Sequence, residues 1–109
     1  MIVNPDELRR TLEGNVVQAL SRTLHEEITF DRAAVTSVDW ETYPILDATE
    51  TPESIDSVLI DRPDIAPSGA GEPSTRTVPA AIANAVFDAT GVRLRRAPLT
   101  PERVKAAVG

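Results

Sequence analysis

Leu8, Leu12, Val16, Leu20 and Leu24 recur at every fourth position near the start of the chain, and Val17 widens the stripe. Apolar residues at that spacing line one face of an α-helix, so the pattern predicts an amphipathic helix over residues 5–25 with that face buried. Asn4 can cap it, Pro5 suits its first turn, and Glu7 stands where a capping box places its acid. Gly14 interrupts the helix. A glycine there costs about 1 kcal/mol relative to alanine and is worth keeping where a neighbouring backbone or a ligand comes close.

Downstream the period changes from four to two. Residues 27–30 alternate, Asp31 and Arg32 can turn, and residues 35–43 read as a second strand with Val38 and Trp40 on one face, which together predict a hairpin. Trp40 and Tyr43 are expected to pack against a helix. Pro44 breaks the ladder, residues 45–53 form a polar connector, and residues 55–60 read as a third strand ended by Asp61, Arg62 and Pro63. Residues 63–74, rich in Pro, Gly, Ser and Ala, form a loop. A second helix is predicted over 77–90, with Val78, Ile82, Val86 and Phe87 as its apolar face, alanines between them, and Gly91 as its C-terminal stop. Residues 92–99 are short and extended, and Thr100, Pro101 and Glu102 open a last helix through Val108. The expected fold is α+β: a small mixed sheet of three to four strands packed against two main helices, plus a short C-terminal helix.

Composition narrows what such a fold could do. A chain of 109 residues with 41% hydrophobic and 26% charged residues reads as one soluble domain with a modest core. Its net charge of -6 argues against nucleic acid and anionic membrane as partners, since Arg93, Arg95 and Arg96 form the one short basic cluster. Without cysteine it holds no disulfide, iron–sulfur cluster or thiolate zinc site. The single histidine, His25, suits the C-terminal end of the first helix, where a protonated imidazole is favoured, rather than a metal site. Asp47, Glu50, Glu53 and Asp56 lack calcium-loop spacing. No targeting signal or membrane span is visible, so a soluble, cytoplasmic chain is expected.

The stretch GAGEPSTRTVP, residues 69–79, carries the candidate chemistry. Pro73 pushes Glu72 toward an extended backbone, and Gly69 and Gly71 permit positive φ and a close main-chain approach. The approaching helix favours a negative charge just before it. Two readings stay open on these grounds: a fixed carboxylate acting as a general base, and a glutamate in a solvated loop leading into a helix.

The segment VNPDELRRTLEGNVVQAL, then EITF, then W-x-x-Y-P-I-L, and finally GAGEPSTRTVPAAIANAVFDATGVRLRRAPLTPERV resemble, in that order, the C-terminal end of the molybdenum hydroxylase large subunit. This is the xanthine dehydrogenase and aldehyde oxidase family, and the resemblance is to its isoquinoline 1-oxidoreductase and aldehyde dehydrogenase type. It covers essentially the whole chain. The resemblance implies that Glu72, in the GxGE segment, is the active-site base for hydroxylating an aldehyde or N-heterocycle with water as oxygen source. It also implies that Thr11 and Gly14, with Ala70 and Gly71, form part of the wall of a molybdenum–molybdopterin cofactor. Thr11 stands where relatives commonly carry a glutamine, and its hydroxyl makes fewer bonds than an amide. Family large subunits are several times longer. Residues 1–109 are therefore expected to be a single partial domain, the C-terminal segment of a molybdopterin-binding domain that shares its cofactor with the remaining large-subunit region or chain. An iron–sulfur subunit would take the electrons, and the chain alone would be inactive. The alternative is a non-catalytic interaction or structural fragment that keeps the fold only.

Overall fold

Three helices and two 3₁₀ turns make up the regular structure of the chain, whose computed structural model describes residues 1–109. Helix α1 spans Pro5–Leu24. Its first turn forms because the Asn4 side chain accepts the Glu7 N–H at 3.1 Å, with Pro5, Asp6 and Glu7 supplying a preset φ and negative charge at the positive end. His25 closes it, its N–H returning to the Ser21 carbonyl at 2.9 Å. Helix α2 spans Val78–Thr90 and stops where Gly91 turns left-handed at φ 73, donating to the Phe87 carbonyl at 2.7 Å. Helix α3 spans Pro101–Val108 behind a Thr100 cap, whose hydroxyl accepts the Arg103 N–H at 3.3 Å. The 3₁₀ turns are Ala48–Glu50 and Pro73–Arg76.

Helix α1 packs on α2 and on the Pro73–Arg76 turn that leads into α2. The small core sits at the C-terminal end of α1, where Ala19, Ser21 and Thr23 are buried together with Pro98 and Leu99. The Leu99 N–H donates to the Thr23 carbonyl at 2.6 Å, which fixes the approach to α3 against α1. Glu27 reinforces that junction by accepting Arg103 Nη2 at 2.6 Å. The leucine stripe from Leu8 to Leu24 is only half-buried.

The expected mixed sheet of three to four strands is absent. The one β contact is an isolated antiparallel bridge between Phe30 and Val35. Its turn is local: Asp31 Oδ1 accepts the N–H groups of Ala33 and Ala34 at 2.7 and 2.9 Å. The hairpin then fails to extend because Asp39 nucleates another turn, accepting the Thr42 N–H on its side chain and the Tyr43 N–H on its carbonyl. Alternating residues give a segment the habit of a strand, but a sheet also needs a partner edge and a surface to cover. Neither is present in this chain. Phe30, Val38, Trp40, Val58 and Ile60 all stand exposed, Trp40 at 79%. The expectation that Trp40 packs against a helix is thus corrected, whereas Tyr43 is half-buried and its hydroxyl donates to Glu26 Oε2 at 2.7 Å.

The result is an open shape. The radius of gyration is 17.1 Å, against about 13 Å for a compact domain of this length, and only 5 of 109 residues are buried. No helix is long and apolar enough to cross a membrane.

Candidate active site

Glu72 stands at the point where the glycine-rich loop tightens into the Pro73–Arg76 turn. Its carbonyl accepts both the N–H and the hydroxyl of Thr75, at 3.0 and 2.6 Å, and Pro73 follows it directly. The backbone is therefore fixed at this residue. The carboxylate is not: it is exposed and takes no hydrogen bond or ion pair from any other residue of the chain. The glycine wall expected beside it is not formed by the loop. Neither Gly69 nor Gly71 adopts positive φ, and a Cβ on either would meet nothing within 4 Å. The N–H groups of Gly69, Ala70 and Gly71 donate to no acceptor in the chain.

Thr11 and Gly14, three residues apart, share a face of α1. The Thr11 hydroxyl is half-buried and unbonded, and Gly14 is exposed with open space where a Cβ would be. The close approach that would explain a glycine there is not made by any part of this chain. The structure brings together the elements that carry the two groups, since α1 packs on the Pro73–Arg76 turn, but it does not enclose them. Two polar atoms of those elements, Asn15 Nδ2 and Ser74 Oγ, are buried without a partner. Apolar spacing marks neither residue; an asparagine inside a helix directly after Gly14 was the available signal.

A cavity of about 690 Å³ lies elsewhere, lined by Leu24, Val86, Leu99 and Val104 together with His25 and Glu50. His25 Nε2 stands 3.5 Å from Glu50 Oε1. The expected end-of-helix position of His25 is observed, and its acidic neighbour comes from a 3₁₀ turn that the sequence did not announce. Nowhere do three or more His, Cys, Asp or Glu side chains converge as metal ligands. The unbonded neutral donors are the amides of Ala70 and Gly71 beside Glu72 and, on α1, the Thr11 hydroxyl. Such donors fit the oxygen and ring-nitrogen acceptors of a phosphorylated pterin, and leave a metal to be carried by the cofactor itself.

No family model matches the chain. Over all 109 residues it is 47% identical to a subunit of nicotinate dehydrogenase from Pseudomonas putida, of which it spans 9%. Over 103 residues, 94% of the chain, it is 36% identical to the membrane-bound aldehyde dehydrogenase (pyrroloquinoline-quinone) of Gluconacetobacter polyoxogenes, of which it spans 13%. The crystal structure of quinoline 2-oxidoreductase from Pseudomonas putida 86 superposes on 98% of the chain with a TM-score of 0.81 at 25% identity. Along its whole length the chain is homologous to molybdenum hydroxylase subunits.

The chain spans only a small part of each of these relatives, and 14% of the quinoline 2-oxidoreductase chain. The open course of residues 27–60 therefore belongs to a fold that in the solved relative is built into a far longer polypeptide. That context accounts for apolar side chains left bare here. It accounts equally for a Glu72 carboxylate that no other residue of the chain meets.

Proposed function

We propose that the chain is the C-terminal portion of a molybdenum hydroxylase large subunit and that Glu72 is its active-site base. The observation that carries this is the division within Glu72 itself: Thr75 and Pro73 fix its main chain, while its carboxylate remains uncommitted. A general base must be positioned and free to accept a proton. A Glu72 Oε atom takes the proton from the water-derived hydroxyl whose oxygen enters an aldehyde or N-heterocyclic substrate. Thr11 donates its hydroxyl, and Ala70 and Gly71 their N–H groups, to the pterin part of the cofactor. Gly14 leaves room for that cofactor on the face of α1. When bound, the molybdenum cofactor would supply oxygen activation and the two-electron acceptor for the substrate's oxidation, with an iron–sulfur subunit as the partner that would take those electrons. The remaining large-subunit sequence completes the site.

The test is Glu72→Gln in the enzyme assembled with its remaining large-subunit sequence. Turnover should fall by roughly 10²–10⁴ with molybdenum content unchanged. The exposure of Glu72 in this chain favours a second reading, a fragment that keeps the fold without the chemistry. Unchanged turnover in the Gln variant supports that second reading and refutes the first. Because one relative is named for pyrroloquinoline quinone, metal analysis of the assembled enzyme is paired with extraction of quinone. Quinone without molybdenum would overturn the cofactor assignment.

A further inference from the structure

Between the Ala48–Glu50 turn and Asp61 the chain runs extended with its polar backbone entirely unused. From Pro52 to Ile60 no N–H donates and no carbonyl accepts a hydrogen bond within the chain. The segment is nevertheless held at both ends: the Thr51 hydroxyl donates to the Ala48 carbonyl at 2.7 Å, and Asp61 Oδ1 accepts the Ile2 N–H at 2.9 Å. Its side chains alternate as a strand requires. Ile55, Ser57 and Leu59 are half-buried against the chain, Ile55 sharing a groove with Val17 of α1, whereas Val58 and Ile60 on the opposite side are 89% and 77% exposed.

An extended segment with no backbone bonds of its own has little to keep it straight in water, because each fixed residue costs about 1–2 kcal/mol of backbone entropy. Yet the chain that contains it superposes on 98% of its length with a solved relative in which it makes up 14% of the polypeptide. The conformation is thus one that the rest of such a polypeptide can share and stabilise. A neighbouring strand would do both things the segment lacks, bonding the free N–H and C=O row and covering Val58 and Ile60.

We infer that residues 54–60 form a strand-addition site whose partner is a β-strand from the large-subunit sequence this chain does not contain. The inference rests on the family reading above and adds where, and by what bonds, the two parts join. It differs from the sheet looked for within the chain, since every ladder bond here crosses to the other part. The bare outer residues call for a partner strand with apolar side chains at alternate positions.

The experiment compares backbone amide exchange in this chain alone and in its complex with the co-expressed remaining large-subunit polypeptide. In the free chain the amides of residues 53–60 should exchange as fast as unstructured ones, and in the complex they should be slowed at least ~100-fold. Val58→Pro, which removes one donor and cannot continue a ladder, should weaken assembly at least ~10-fold, and Val58→Thr, which keeps the donor and the branched side chain, should change it less than about threefold. A complex that forms and turns over substrate through Glu72 while residues 53–60 stay unprotected overturns this inference and leaves the family reading intact. Protection that appears in the free chain with a doubling of mass would assign the site to a second copy and overturn the partner named here. Failure to form any complex overturns both.

Discussion

Glu27 shows how much a single residue can decide in a chain with so small a core. Its carboxylate receives Arg103 Nη2 at 2.6 Å and Arg96 Nη2 at 3.4 Å, so the segment after α1 is tied to α3 across 76 residues of sequence. The Arg103 hydrogen bond is the main cause that holds the Glu27 acid below its ordinary value of 4.5, working against a smaller effect of burial. A depressed acid contributes its stability above the unfolded value and loses it as pH falls through the lower folded one. Acidifying below about pH 5 should therefore release α3 before α1, seen as earlier loss of amide protection over Pro101–Val108, and Glu27→Gln should weaken that pH dependence, leaving the part contributed by Glu102, whose acid is also depressed in the first turn of α3. Identical profiles for the two proteins would exclude the ion pair as the tie. Gly91 behaves differently because its role is purely conformational: at φ 73, Gly91→Ala should destabilise α2 by about 1–2 kcal/mol in thermal melts. The glycine was legible in the sequence because a helix stop is a local signal. The Glu27–Arg103 pair was not, since two charges 76 positions apart leave no periodic trace.

At the level of elements the same distinction holds. All three helices could be read from caps, prolines and apolar spacing, and their observed limits differ from the expected ones by a residue at most. The strands failed as a sheet because pairing is settled by whatever lies alongside, which alternation within 27–60 cannot specify. The candidate site was legible to a similar extent: the GxGE stretch marked Glu72 and left a fixed base and a glutamate in a solvated loop both open, and the exposed carboxylate matches the solvated loop, whereas the close approach of Gly69 and Gly71 is not made within the chain. Helix α1 offers a way to separate what belongs to this chain from what belongs to its assembly. A Cβ at Gly14 meets nothing within 4 Å, so Gly14→Ala should raise the helicity of the isolated chain and stabilise α1 by about 1 kcal/mol. In the assembled enzyme the same change should lower molybdenum content, since the added methyl group would intrude on the cofactor. If molybdenum is retained in full, Gly14 has no part in the cofactor wall.

For the whole molecule, the open shape and the bare apolar side chains are two aspects of one fact. A radius of gyration of 17.1 Å with 5 of 109 residues buried leaves far less apolar surface removed from water than a compact domain of this length achieves. The heat-capacity change of unfolding scales with that surface, so calorimetry of the isolated chain should give a value well under the ~12–15 cal/mol/K per residue of ordinary domains, with a broad transition. A sharp transition at the ordinary value would mean that the chain collapses on its own into something more compact. Trp40, the only tryptophan and 79% exposed, reports the complementary event. Its fluorescence in the isolated chain should be that of a water-exposed indole, freely quenched by iodide. Assembly with the remaining large-subunit polypeptide should move the emission to shorter wavelength and protect it from the quencher, because an indole is among the largest apolar surfaces a partner could cover. If the shift is complete before any partner is added, the side chain is already buried and the open fold is wrong for the free chain. If the shift never comes although the complex forms, the surface around Trp40 lies outside the joint, and the contact must rest on other bare positions such as Val58 and Ile60.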